Sequence, residues 1–171
     1  SAASDVYKRQ IDKYVPNEVF TTISPDANQT TRTVFTKLAD QNVPITKVQV
    51  GQSVDLGTGI TIEFLEVENR GGVLWLSWEN FSALIFTGKV KTTSTQPPFG
   101  PNVFVLPNNI KADELPLEVV NQWSSSVILL PLEESDLPFQ GQHEILGFLE
   151  DYPVISSLEY SWVRISTDGE I

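Results

Sequence analysis

Two apolar segments that each end in a turn and a polar residue constrain this chain most. Residues 81–88 lead to Lys89, and residues 103–107 lead to Asn108 and Asn109. Short apolar runs rich in β-branched and aromatic residues, bounded by Gly or Pro, are typical of buried strands. We therefore predict two buried strands that each deliver polar side chains from their carboxyl ends.

The composition narrows the chemistry that the chain can perform. The absence of cysteine excludes thiolate catalysis, cysteine-ligated zinc and disulfides. We interpret the only histidine, His143, as an exposed residue at the start of a helix. With 22 acidic and 11 basic residues and a formal charge of −11, the surface repels phosphate, so we expect no strong nucleic-acid binding. The longest apolar run, residues 127–132, is too short to span a bilayer.

The rest of the pattern predicts a mixed α/β protein in which strands dominate. We predict helices at 31–39, 116–123 and 143–150, where apolar residues share one helical face or proline precedes the first turn. We predict strands at 18–22, 46–51, 61–68, 73–78, 81–86, 103–106, 127–130, 154–156 and 162–166. A small turn is expected at 54–60 and a glycine-rich hairpin turn at 69–72. Because no linker or internal repeat is visible, we predict one domain, residues 11–171.

Local motifs in this order resemble a known domain. They are Gly-Gln-Ser-Val-Asp-Leu-Gly-Thr-Gly at 51–59, Trp-Glu-Asn-Phe at 78–81 and Trp-Val-Arg-Ile-Ser-Thr-Asp-Gly at 162–169. With the order of the predicted elements, they are similar to the soluble C-terminal metallo-β-lactamase-like domain of ComEC-type DNA-uptake (competence) proteins. The resemblance implies an α/β fold of the αββα-sandwich kind, of which this chain forms the C-terminal half or larger part.

The same resemblance places poor ligands at the metal-binding positions of that family. Lys89 stands where the family has Asp, Asn108 and Asn109 stand where it has two His, and Gln140 aligns with its last His. The family's upstream His-x-His-x-Asp-His cluster has no counterpart in 11–171. The family uses zinc or manganese. A protonated ammonium cannot bind these metals, and amides bind them only weakly. We therefore expect no cofactor and no catalytic residue. Lys89 either replaces the metal charge structurally or is a solvated turn residue.

Three functions follow as alternatives. The first, which we expect, is an inactive soluble domain of a bacterial cytoplasmic-membrane protein. In that protein a separate channel region interacts with DNA. The second is a metal-dependent hydrolase or nuclease with ligands upstream or at other positions than those aligned. The third is a free-standing interaction module that uses the same fold.

The first ten residues are interpreted as foreign to the protein. Residues 1–10 match the in-frame translation of a transposon-end adapter used in sequencing libraries, so we exclude them from the fold. On this interpretation we expect the native chain to start near Ile11 with its beginning cut off. Half of a two-sheet sandwich would expose apolar strand faces, so we expect poor solubility of residues 11–171 alone.

Overall fold

A computed structural model describes residues 13–68, 71–88, 97–107, 117–122, 127–131 and 147–156. Their contacts group into two compact units, residues 1–49 and residues 50–171. The strand predicted at 162–166 and residues 143–146 of the predicted third helix lie outside the described residues. The described elements confirm a mixed α/β fold.

The first unit is a strand, a helix and a second strand. In chain order these are β1 (Val19–Thr21), α1 (Gln29–Asp40) and β2 (Ile45–Lys47), and the two strands pair in parallel. The helix begins after Asn28, whose backbone is extended and whose side-chain Oδ1 accepts the Thr31 N–H at 2.8 Å. Asn28 therefore satisfies one of the N–H groups that have no partner within a helix. Leu38 is the buried residue of this helix.

The second unit is built on one seven-stranded sheet. Its strands are β3 (Ser53–Gly57), β4 (Ile60–Glu68), β5 (Gly71–Trp78), β6 (Phe81–Gly88), β7 (Val103–Val105), β8 (Val127–Leu130) and β9 (Val154–Ser156). They lie side by side in chain order. The first four are antiparallel, whereas β6 to β9 are parallel. The helix α2 (Leu117–Gln122) lies in the connection between β7 and β8, as a parallel crossover requires.

One face of this sheet, which we call the front face, carries the hydrophobic core. Strand pairing places four of its buried side chains in one row across neighbouring strands: Trp75, Leu84, Phe104 and Ile128. Val120 of α2 and Leu149 belong to the same buried cluster and are 0% and 1% exposed. The core is therefore formed between the sheet and residues from the connections between its parallel strands.

The opposite face, which we call the back face, carries apolar side chains on every strand of the sheet. One row across paired residues consists of Phe64, Leu74, Ile85, Val105, Leu129 and Ile155. In the first part of β4 the side chains alternate, with Ile60 and Ile62 on the back face and Thr61 and Glu63 on the front, until the register shifts between Phe64 and Glu66. Most back-face side chains are half-buried. Parallel strands with apolar residues on both faces normally have both faces covered.

Two turns differ from the sequence-based prediction. The small turn expected at 54–60 was only partly right, because Ser53–Gly57 is a strand and only Thr58 and Gly59 form the turn. Their positive φ angles, 54° and 79°, match the type I′ turn that suits a two-residue hairpin. The expected turn at 69–72 was also partly wrong, because β5 already begins at Gly71. Strand β2 is shorter than predicted and ends at Lys47.

Candidate functional site at the carboxyl edge of the parallel strands

The parallel strands bring their carboxyl ends to one edge of the sheet, which we call the carboxyl edge. Strands β6 and β7 are direct neighbours, with Ile85 opposite Val105. In the sequence, Lys89 and Asn109 each follow their member of this pair by four positions. The two apolar strands predicted from the sequence are thus confirmed, and the structure adds that they are parallel neighbours.

The predicted site residues themselves lie outside the described part of the chain. These residues are Lys89, Asn108, Asn109 and Gln140, and His143 lies outside it as well. What the structure describes is where the preceding strands end, at Gly88 for β6 and just before Leu106 for β7. A meeting of these side chains at the carboxyl edge remains a prediction.

Gly88, at which a glycine turn was expected, is the last residue of β6. Its φ is 63°, in the left-handed region that glycine adopts without the steric cost that a Cβ brings. Gly88 is exposed, whereas Phe86 two residues earlier is buried in the core. The strand therefore passes from the buried core to an exposed glycine directly before Lys89 in the sequence.

Glycines also occupy the neighbouring strand at this edge. Gly71 lies opposite Gly88, and Gly72 lies opposite Thr87. A Cβ at Gly72 would lie 2.6 Å from the carbonyl oxygen of Glu66, so this position has no room for a side chain. The Thr87 hydroxyl donates to the Gly72 carbonyl oxygen at 3.1 Å. Both glycines are buried, and the hydroxyl beside them already has a hydrogen-bond partner.

The donor set predicted for the carboxyl edge does not fit a transition metal. It consists of the Lys89 ammonium and the amides of Asn108, Asn109 and Gln140, whereas zinc and manganese favour imidazole and carboxylate. Within the described ranges, no group of three His, Cys, Asp or Glu side chains could hold a metal ion. We therefore derive no reaction step through a metal at this edge.

A polar network that sequence reasoning missed lies at the amino end of the same strands. The Ser82 N–H donates to Asn102 Oδ1 at 2.7 Å, and Ser82 Oγ lies 3.3 Å from the same atom. The Asn102 N–H donates back to the Ser82 carbonyl, and the Asn102 carbonyl accepts the Val127 N–H, both at 3.0 Å. Asn102 therefore joins β6 to the start of β8. Ser82 is 1% exposed, and a buried N–H that has no acceptor destabilises a fold. The hydrogen bond from the Ser82 N–H to Asn102 Oδ1 therefore stabilises this part of β6.

The loop before Asn102 is held to the front face by an aromatic contact. Phe99 meets Trp75 edge to face, with ring centroids 4.9 Å apart and an interplanar angle of 89°. Trp75 is 4% exposed and Phe99 is 53% exposed. Edge-to-face pairs at this distance are favourable beyond the apolar area that they bury. The contact and the Asn102 network fix the loop that leads into β7.

Comparison with known proteins assigns no family to the chain. No protein-family model matches it, and no curated protein matches it. Among the described residues, no helix has the length and apolar character that a membrane crossing needs.

Proposed function

We propose that this chain is a catalytically inactive metallo-β-lactamase-like domain of a ComEC-type DNA-uptake protein. The observation that carries the proposal is the parallel pairing of β6 with β7. It supports a shared edge for Lys89 and the Asn108-Asn109 pair, the positions at which the family resemblance expects Asp and two His. The positive φ of Gly88 adds to this support, because this glycine lies where the family motif has its glycine.

The two faces of the sheet support the αββα form of the fold. In such a sandwich each sheet has helices on one face and the second sheet on the other. The front face already packs against Val120 of α2 and against Leu149. The back face carries the apolar row through Leu74 and Ile85 that a second sheet, packed about 10 Å away, would cover.

Loss of catalysis follows from the charges at the site. Two-metal hydrolysis needs two cations about 3.5–4 Å apart, held by imidazoles and a bridging carboxylate. Lys89 places a positive charge where that carboxylate would hold both ions, and the amides of Asn108 and Asn109 replace strong ligands. In this proposal the Lys89 ammonium takes over the structural role of the metal charge, and no hydrolysis occurs.

The proposal also assigns a location and a partner. The domain belongs to a bacterial cytoplasmic-membrane protein, and it meets DNA through the channel region of that protein. Its own affinity for DNA is weak, because a formal charge of −11 opposes the phosphate backbone.

Metal content and nuclease activity test the proposal together. The purified chain is analysed for bound zinc and manganese by mass spectrometry and assayed on single- and double-stranded DNA with each metal added. A variant with Lys89→Asp, Asn108→His and Asn109→His restores the family's ligand types. Lys47→Asp, at the exposed end of β2, makes the same charge change in the first unit and serves as the control.

The proposal predicts no stoichiometric metal and no metal-dependent cleavage in the unmodified chain. The triple variant is expected to bind zinc more tightly than either the unmodified chain or the Lys47→Asp control, because it supplies a carboxylate and two imidazoles. Stoichiometric zinc or manganese with metal-dependent cleavage by the unmodified chain would overturn the proposal and favour a metal-dependent hydrolase.

A further inference from the structure

We draw no further inference here: the strongest candidate, the apolar back face of the seven-stranded sheet, carries nothing beyond the proposed fold because nothing in the described part of the chain shows what covers it.

Discussion

Replacing Asn102 by alanine tests the polar network that joins β6 to β8. The substitution Asn102→Ala removes the Oδ1 atom that accepts the Ser82 N–H at 2.7 Å and lies 3.3 Å from Ser82 Oγ. The main-chain bonds of residue 102 to Ser82 and Val127 do not need its side chain. The change therefore isolates the contribution of one side-chain acceptor.

The expected loss of stability follows from the burial of Ser82. A buried N–H that loses its acceptor costs about 1–3 kcal/mol. Ser82 is 1% exposed, but Asn102 itself is exposed, so water replaces part of the lost bond. We therefore expect Asn102→Ala to lower the free energy of unfolding by about 1–2 kcal/mol, the lower half of that range.

Urea unfolding followed by tryptophan fluorescence measures this difference, because Trp75 is buried in the core. Asn102→Asp keeps an oxygen acceptor and is the matched control, with a smaller expected loss. Ser82→Ala removes only the hydroxyl and should also cost less than Asn102→Ala. If Asn102→Ala unfolds at the same urea concentration as Asn102→Asp, the network does not stabilise the sheet as described.

Two further substitutions test the corrected turns. Thr58→Asn should stabilise the chain by about 0.5–1 kcal/mol in urea unfolding, because asparagine tolerates the left-handed φ of 54° better than a β-branched residue; an unchanged stability would argue against the type I′ turn. Gly72→Ala should destabilise by about 1–3 kcal/mol, since its Cβ would lie 2.6 Å from the Glu66 carbonyl oxygen. Gly147→Ala, where a Cβ meets nothing within 4 Å, is the control for Gly72→Ala, and equal effects of the two would contradict the crowding at Gly72.

The apolar strands could be predicted because the segments with apolar sequences are the ones that the fold buries. The predicted strands 127–130 and 154–156 have the same bounds in the structure. The antiparallel pairing of β4 with β5 was also predicted, because a short connection favours a hairpin between successive strands. In these regions the apolar pattern and the length of the local connection are sufficient to predict the strands and their pairing.

Strand β3 was missed because its sequence resembles a turn. Ser53, Asp55 and Gly57 are all exposed, and Val54 is its only residue that is even half-buried. The strand exists because it pairs with β4, which is a contact that the composition of β3 does not reveal. Gly72 was assigned to a turn for a similar reason. Its close approach to the Glu66 carbonyl oxygen depends on how β4 and β5 pair, and the local sequence does not reveal that pairing.

The candidate site was predictable only in part. The apolar strand ending at Gly88 could be predicted from its sequence, and the positive φ of Gly88 fits the glycine at that position. The parallel pairing of β6 with β7 could not be derived from periodicity, because the two strands are separated by a long connection. Asn102 was missed because its role depends on a tertiary contact with Ser82, a residue twenty positions earlier.

A cross-linking measurement tests most directly whether the predicted site positions share one edge. The chain has no cysteine, so the pair Lys89→Cys with Asn109→Cys can be introduced without background thiols. Neighbouring strands lie about 4.8 Å apart, so a short bismaleimide should join these two positions within one molecule. The control pair, Asn80→Cys with Asn109→Cys, has its first cysteine before the amino end of β6 and should not be joined. Equal cross-linking of the two pairs, or cross-linking of the control pair alone, would contradict a shared carboxyl edge for Lys89 and Asn109.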